Sequence, residues 1–324
     1  MTTVAVTGAG GYVGSRLIGA LTQAGTRVRP IVRRHVPYLG GDQVVVDLLG
    51  DLGAIDAAIA GAESVVHLAG PNEIATASNP EAAVNATIAG SRRVAAAAVR
   101  AGVRRLVYVS TVHVYGARIV DGATVDEETP TEPRSEYALA RLTSEHLVGA
   151  AAAEGVEVVV FRLSNSIGAP ADARVDRWSL VATDLCRQAA LDGTLTLRSS
   201  GAQWRDFIAL RDVVTIVAGC SIPGTIQPGT YNLASGDPRT VRHLAEVVQD
   251  VTESATGARP ALIAPDLPAE LPIPYRVATE KLASNGWKAN TRLCDAVAET
   301  LAFCLENIDS LRSKPDSLRS KPDS

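Results

Sequence analysis

The stretch VAVTGAGGYVG (residues 4–14) decides the fold of this chain. It begins with a short apolar run typical of a buried strand, and an amphipathic, helix-like run (12–24) follows its glycines. Glycines at these places allow a tight turn, a close approach of backbone amides to a pyrophosphate, and close packing of the helix on the sheet. The start of the helix adds unpaired N–H groups and a partial positive charge. The predicted dinucleotide contacts are Gly8, Gly11, Tyr12, Val13 and Gly14.

The end of the next strand-like run (26–33) indicates which nicotinamide cofactor is bound. An acidic residue there would hold the ribose 2′-hydroxyl of NAD, but about twenty residues beyond the glycines this chain has Arg33 and Arg34. Guanidinium groups accommodate a 2′-phosphate, so NADP(H) is favoured and NAD is the alternative. The two arginines could instead be a solvated pair at a strand end. Pro30 lacks a ladder donor and weakens the strand prediction.

Short apolar runs alternate with helical runs through the first half of the chain. This alternation predicts an α/β fold with a doubly wound parallel sheet of the Rossmann type, in which ligands bind beyond the carboxyl ends of the strands. The predicted strands are 44–46, 64–68, 105–109 and 156–163, and the predicted helices are 52–60, 80–101 and 135–153.

Length and composition indicate an ordinary enzyme-sized protein of two parts. A chain of 324 residues with 46% hydrophobic content can bury a large core. We expect residues 1–168 to form the dinucleotide-binding domain with the catalytic residues. Residues 169–308 should form a smaller, mainly substrate-binding domain, with some segments returning to the sheet. The last part, 309–324, holds DSLRSKP twice and is expected to be a flexible tail.

Charge, hydropathy and cysteine spacing argue against several classes of partner. A net charge of −4 gives no general attraction to nucleic acid or anionic membranes. No apolar run has the length of a membrane span and no leader-like segment opens the chain, which predicts a cytoplasmic protein. The widely spaced cysteines predict reduced thiols without a metal site: Cys186, Cys220, Cys294 and Cys304.

Further motifs resemble, in order, those of the extended short-chain dehydrogenase/reductase family, in its nucleotide-sugar branch of the NAD-dependent epimerase/dehydratase type. The resemblance covers nearly the whole chain, to about residue 307. TGAGGYVG is similar to TGxxGxxG, HLAG (67–70) to HLAA, and NATIAGSRRV (85–94) to NVxGT. The later matches are VYVSTVHVYG (107–116) with the strand carrying the catalytic Ser or Thr, YALAR (137–141) with YxxxK, FRLSNSIGA (161–169) with RYFNPxGA, and WRDFI (204–208) with VRDYI.

The resemblance implies roles for particular residues. It implies a homodimer through the helices at 80–101 and 135–153, although both helices could pack only within the chain. The implied catalytic residues are Thr111, Tyr137 and Arg141. The implied cofactor contacts beyond the glycines and arginines are Asp47, Leu48, Leu68, Ala69, Gly70, Asn85, Val109, Ser110, Tyr137 and Arg141. The implied nucleotide-sugar contacts are Thr111 and, toward the diphosphate, Asn165, Arg205 and Arg276.

The chemistry of these residue types agrees with the resemblance. Tyr137 and Arg141 are four residues apart and share a helix face, and a cation beside a phenol favours its ionised form, as proton transfer requires. Thr111 can hydrogen-bond the same reacting oxygen, while the cofactor carries the hydride. Arg141 departs from the family's Lys: it keeps the charge but is bulkier, planar and never deprotonated.

Two features narrow the expected reaction. The 4,6-dehydratases of the family follow the catalytic Thr with Asp and Glu, whereas this chain has Val112 and His113. Because Val cannot transfer a proton, a dehydratase is disfavoured; His113 is a candidate base or a structural hydrogen-bonding residue. Arg33 and Arg34 favour a reductase that consumes NADPH over an epimerase that retains NAD. We therefore expect reduction of a keto group, at C4, on a nucleotide-linked keto-deoxysugar. A nucleotide-sugar 4-epimerase and a non-catalytic NADP(H)-sensing protein are the alternatives.

Overall fold

The computed structural model describes residues 2–312 as a mixed α/β protein. In chain order the strands are β1 (Thr3–Thr7), β2 (Arg27–Val32), β3 (Val44–Val45), β4 (Ser64–His67), β5 (Arg105–Thr111), β6 (Thr124–Val125), β7 (Glu157–Leu163), β8 (Asn165–Ile167), β9 (Thr194–Thr196), β10 (Trp204–Ala209), β11 (Gly229–Leu233), β12 (Pro238–Thr240), β13 (Ala261–Ile263) and β14 (Arg276–Val277). The α-helices are α1 (Tyr12–Gln23), α2 (Leu52–Ile59), α3 (Glu73–Ser78), α4 (Pro80–Arg100), α5 (Glu136–Gly149), α6 (Val181–Asp192), α7 (Leu210–Cys220), α8 (Val241–Thr256), α9 (Glu280–Ser284), α10 (Leu293–Glu306) and α11 (Ile308–Arg312). Two 3₁₀ segments span Val112–Arg118 and Ala150–Glu154.

A seven-stranded sheet in the order β11-β7-β5-β4-β1-β2-β3 forms the centre of the protein. Each neighbouring pair of its strands is parallel. The chain fills one side of β1 with β2 and β3 and then crosses to β4 on the other side, so the sheet is doubly wound and the predicted fold class is confirmed. The point where the strand order reverses, beside the carboxyl end of β1, is where such sheets bind ligands.

The strand predicted around Pro30 is present despite the missing N–H group. Arg27 N donates to Thr2 O and Ile31 O accepts from Ala9 N, so these residues bond toward β1. Pro30 therefore faces the other side, where β3 pairs only with Ile31 and Val32. The missing donor costs no ladder hydrogen bond, because no strand lies beside it there.

Helices cover both faces of the sheet, as the alternation of apolar residues along the strands requires. Val4 and Val6 of β1 face a core that includes residues of α1 and α7. Ala5, between them, faces a second core built with α2 and α4. These two cores fix β1 from both sides and hold the glycine turn at its end.

The C-terminal part has its own core among α6, α8 and α10. Between these helices and the main sheet lies a small sheet of β8, β10 and β12, while β11 returns to the edge of the main sheet. Leu311 of α11 is fully buried in the C-terminal core. The prediction of a flexible tail is therefore wrong for residues 309–312, where apolar burial orders a helical turn; residues 313–324 lie outside the described part.

Candidate active site

A cavity of about 500 Å³ lies at the carboxyl ends of the central strands. It combines the glycine turn after β1, the ends of β4 and β5, the first half of α5 and the loop before α6. Most of the predicted site residues line it: Gly8, Gly11, Tyr12, Val13, Gly14, Leu68, Gly70, Val109, Ser110, Thr111, Tyr137, Arg141 and Asn165. The structure thus brings together residues that are up to 157 positions apart (165 − 8) in the sequence.

The glycine turn has the close packing that a pyrophosphate cradle needs. A Cβ atom at Gly8, where φ is +68°, would lie 2.7 Å from Ala69 N, and one at Gly14 would lie 2.3 Å from Gly8 O. Gly11 is the N-cap of α1 and offers no side chain to the first N–H groups of that helix. These N–H groups face the cavity, and they are the groups that bind phosphates at helix starts. A dinucleotide therefore fits here.

A second cavity, of about 380 Å³, lies next to the turn on the β2 and β3 side. It shares Gly8 and Gly70 with the first cavity, as expected for two halves of one dinucleotide site. The predicted residues that line it are Arg33, Asp47, Leu48 and Ala69. Arg34 lies outside its lining, so of the two arginines only Arg33 lines this cavity.

The structure does not bring Asn85 to either cavity. Asn85 is exposed on α4, while its neighbour Ala86 lines the adenosine-side cavity. Successive residues of a helix point about 100° apart, so neighbours in the motif present different faces. The role of Asn85 as a cofactor contact stays a prediction.

Thr111 and Tyr137 face the same cavity from different elements. Thr111 is the last residue of β5 and Tyr137 is in the first turn of α5, whose start is fixed by Ser135 Oγ accepting a hydrogen bond from Ala138 N at 3.2 Å. Tyr137 is half-buried, and the centre of its ring lies 5.3 Å from the guanidinium carbon of Arg141. This is the predicted arrangement of a phenol beside a permanent cation.

Arg141 is buried, and neighbours that the sequence did not indicate hold its guanidinium. Nη2 donates to Pro71 O at 3.1 Å, and Nη1 lies 3.5 Å from Tyr108 Oη. Burial by itself would lower the pKa of Arg141, but Tyr108 and Tyr137 outweigh it and raise that pKa above its ordinary value. A Cβ atom at position 70 would lie 3.0 Å from Nη2, so Gly70 leaves the space that the planar group occupies.

Two buried networks behind the cavity hold its strand ends. Ser110 Oγ donates to Glu145 Oε1 at 2.5 Å, and Glu145 pairs with Arg162 at 2.9 Å, which ties β5, α5 and β7 together. His67 is fully buried, with Thr7 Oγ1 at 2.7 Å and Ser91 Oγ at 3.0 Å from its two ring nitrogens. Burial and the nearby Arg141 lower the pKa of His67 to about 3, so the imidazole is neutral.

Four further ionisable side chains line the first cavity: Glu73, His113, Asp176 and Arg177. Glu73 on α3 pairs with Arg177 on the loop before α6, with Oε2 and Nη2 2.9 Å apart. The ring centre of His113 lies 6.5 Å from that of Tyr137. Burial lowers the pKa of His113, Glu73 opposes this shift and Arg205 adds to it. Sequence motifs gave no signal for Glu73 or Arg177, because the two residues are far apart in the sequence and meet only in the folded chain.

The predicted diphosphate residues are not gathered at the cavity. Asn165 lines it but donates its side-chain N–H to Asp206 O at 3.0 Å. Arg205, on β10, donates to the neighbouring Trp204 O at 2.8 Å, and Arg276, on β14, pairs with Glu280. Neither arginine lines the first cavity. Their role as a diphosphate clamp therefore stays a prediction, since in this conformation both are bonded to nearby backbone or acidic groups.

A third cavity, of about 610 Å³, lies in the C-terminal part among α6, β9 and the loop before β10. Its lining includes the polar side chains of Arg187, Gln188 and Arg198. Different residues of the segment 176–181 line the two cavities: Asp176, Arg177 and Leu180 line the first, and Ser179 and Val181 line this one. Both cavities therefore border that segment.

Comparison with known proteins agrees with the geometry of this site. The model of the NAD dependent epimerase/dehydratase family matches residues 4–234. The chain belongs to this family. It is 30% identical over 258 residues to "Sterol demethylase protein B" of Methylococcus capsulatus, which covers 78% of this chain and 75% of that protein. It is also 30% identical over 238 residues, 65% of each chain, to a UDP-glucose 4-epimerase of Azospirillum brasilense.

Solved structures show the same fold. MoeE5 in complex with UDP-glucose and NAD has a TM-score of 0.78 at 23% identity, with 94% of this chain and 99% of that chain covered. RMD from Pseudomonas aeruginosa complexed with NADPH has a TM-score of 0.76 at 23% identity, with 95% and 98% covered. Proteins of this fold thus bind either nicotinamide cofactor, and the names of the relatives concern different substrates.

The other structural properties of the described chain concern membranes, metals and thiols. No helix within residues 2–312 is long and apolar enough to cross a membrane. The same residues contain no cluster of side chains suited to a metal ion. The four cysteines are free thiols, and those at 186, 220 and 304 are buried.

Proposed function

We propose that the protein reduces a keto group, at C4, on a nucleotide-linked keto-deoxysugar, with NADPH as the reductant. The observation that carries the proposal is the convergence of Thr111, Tyr137 and Arg141 on one cavity with the glycine turn. The family supplies the class of cofactor and of chemistry, and the residues at the site support the particular reaction.

The protein's part in this reaction is to position the carbonyl group and to move a proton. The Tyr137 hydroxyl donates its proton to the carbonyl oxygen, and the Thr111 hydroxyl holds the same oxygen by a hydrogen bond. Arg141 stabilises the phenolate that Tyr137 becomes, and as a permanent cation it takes no part in carrying the proton onward. A nicotinamide cofactor bound at the glycine turn supplies the hydride.

The choice of NADPH rests on Arg33. Its side chain lines the adenosine-side cavity next to Asp47 and Leu48. A guanidinium there matches the charge and geometry of a 2′-phosphate, which accepts charge-assisted hydrogen bonds. Reductases release oxidised cofactor after each turnover, so selection of NADPH from solution accords with reduction better than with epimerisation.

The residues after Thr111 support reduction over dehydration. Val112 is only 3% exposed and lies in a core, so the position after the catalytic Thr offers no acid to the cavity. His113 does line the cavity. A reductase needs one proton donor at the reacting oxygen, and Tyr137 meets that need without a second acid.

The first and third cavities, which border the same segment, support a substrate as large as a nucleotide sugar. With the sugar beside Thr111 and Tyr137, a nucleoside can occupy the third cavity, of about 610 Å³, in the C-terminal part.

We also propose a homodimer through α4 and α5: these helices pack on each other, yet Leu139 of α5 is 54% exposed. Light scattering of the purified protein, which measures its molecular mass in solution, tests the dimer.

The function is tested by mass spectrometry of the protein as purified, followed by incubation with NADPH and a panel of nucleotide-linked 4-keto sugars. We expect NADPH oxidation with one of them, and a product about two mass units heavier than the substrate, as addition of a hydride and a proton requires. Co-purified NAD with interconversion of 4-epimers would instead identify an epimerase. NADPH binding without any consumption would identify the non-catalytic NADP(H)-sensing protein.

A further inference from the structure

We propose that Arg177 binds the substrate's diphosphate, and that Glu73 holds Arg177 at the cavity wall until the substrate replaces it. This inference rests on the proposed function, because it assigns a new contact to the nucleotide-sugar substrate. It also names the residue that takes the place of Arg205 and Arg276 in the described conformation.

The position of Arg177 is the first argument. Arg177 lines the first cavity, and Ser179 and Val181, two and four residues later, line the third cavity, where we propose that the nucleoside binds. A nucleotide sugar that reaches from one cavity to the other must cross this segment. Its diphosphate is the middle of the molecule, between the sugar and the nucleoside, so it passes next to Arg177.

The hydrogen bonding of Arg177 is the second argument. The side chain is 20% exposed, and Nη2 binds Glu73 Oε2 at 2.9 Å. Within residues 2–312, Nη1 is buried and has no hydrogen-bond partner. A buried guanidinium N–H without an acceptor is costly, and a guanidinium suits two parallel bonds to a phosphate. Arg177 therefore lines the cavity with one guanidinium nitrogen that no acceptor of the described residues satisfies.

Glu73 is the group that the diphosphate would replace as the partner of Arg177. Although burial would raise the pKa of Glu73, Arg177 outweighs it and holds that pKa below its ordinary value, so the side chain is a carboxylate at neutral pH. A carboxylate and a diphosphate compete for the same cation. Binding of the substrate must therefore loosen the ion pair, and part of the phosphate's attraction is offset by that loss.

Opposite effects of two substitutions test this exchange. In Arg177→Gln we expect dTDP, UDP or GDP, whichever the wild type binds, to bind about tenfold more weakly, because a charge-assisted contact is lost. In Glu73→Gln we expect the same nucleotide to bind severalfold more tightly, because Arg177 no longer leaves a carboxylate. Both variants should bind NADPH with the wild-type Kd. Isothermal titration at one ionic strength measures the Kd of the nucleoside diphosphate and of NADPH.

A matched control removes the same charge from the same loop. Arg174 pairs with Asp172 at 2.7 Å, is 58% exposed and lies outside the cavity lining, so Arg174→Gln should leave nucleotide binding unchanged. Arg177→Lys should retain part of the affinity, which shows that charge at this position matters and that the loop is folded.

The outcomes separate this inference from the proposed function. If the wild type binds a nucleoside diphosphate and Arg177→Gln binds it equally well, the inference is overturned and the function stands. If Arg177→Gln and Glu73→Gln both weaken binding, the ion pair only supports the loop, and the exchange is wrong. A loss of NADPH affinity in Arg177→Gln would place the residue at the cofactor. If the wild type binds NADPH but none of the three diphosphates, both the inference and the nucleotide-sugar proposal fail.

Discussion

The fit between Gly70 and Arg141 gives the sharpest prediction about catalysis. Family members that this chain resembles have Ala where Gly70 lies and Lys where Arg141 lies, so the two departures occur together at one contact. We predict that Gly70→Ala is harmful in the wild-type protein and tolerated in Arg141→Lys. The reason is that the added methyl group meets the guanidinium, which a lysine lacks.

The size of the effect follows from the distances. The Cβ atom that Gly70→Ala adds, built without adjustment, would lie 3.0 Å from Nη2, 3.2 Å from Nη1 and 3.3 Å from Cζ of Arg141, where ordinary contacts begin at 3.4 Å. The group must move by about 0.4 Å (3.4 − 3.0), which lengthens the 3.1 Å bond to Pro71 O and the 3.5 Å contact with Tyr108. Displacement of a catalytic group by about 1 Å costs about 100-fold, so we expect kcat to fall about tenfold, or about 1.4 kcal/mol.

The assay is a double-mutant cycle on the rate of NADPH oxidation with the substrate found in the panel, with the NADPH Kd of each variant measured by titration. Gly70→Ala should lower kcat about tenfold with Arg141 present and less than about twofold with Lys there, a coupling of about 1 kcal/mol. Gly70 has a φ of +158°, and any backbone cost of Ala there is common to both pairs and cancels in the cycle. Equal losses in the two backgrounds would refute the steric argument.

Three further predictions concern the cofactor, the proton donor and pH. Arg33→Ala should weaken NADPH binding about tenfold or more and leave NADH binding nearly unchanged, whereas Arg34→Ala should change neither Kd; equal effects of the two substitutions in fluorescence titrations would contradict the placement of the 2′-phosphate. Tyr137→Phe should lower the reduction rate about 10²- to 10⁴-fold with NADPH binding intact, and a wild-type rate on a confirmed substrate would show that another group donates the proton. The folded protein keeps His67 neutral down to about pH 3, while the unfolded chain protonates it below about 6.5, so this group's contribution to stability falls as pH drops between those values. At about pH 4.5 the neutral state of buried His67 should lower the free energy of unfolding by about 2 to 3 kcal/mol relative to neutral pH. The free energy of unfolding of His67→Gln in urea should therefore depend less on pH over this interval than that of the wild type. Parallel curves for the two proteins would show that His67 is protonated in the folded state. His243→Gln, at an exposed position of α8, is the control for a His-to-Gln change outside the core.

The sequence by itself determined the parts of this protein that local spacing controls. The glycine turn, the alternating strands and helices and the pair Tyr137 and Arg141 are each contained in short segments, and the periods of strand and helix fix which side chains share a face. The parallel direction of the strands followed from the alternation, since parallel strands need helical crossovers. The residue types alone also indicated the chemistry of a phenol, a cation and a hydroxyl group.

Only the tertiary structure decided which groups surround those residues. Glu73, at the start of α3, and Arg177, on the loop before α6, are separated by 104 positions, and no short pattern encodes such a pair. Arg205 and Arg276 matched their motifs but are bonded to nearby backbone and acidic groups, and Asn85 is exposed on its helix outside both cavities. The physical reason is common to all of them: a motif fixes residue type and local direction, whereas packing between distant segments fixes the partner and the space available.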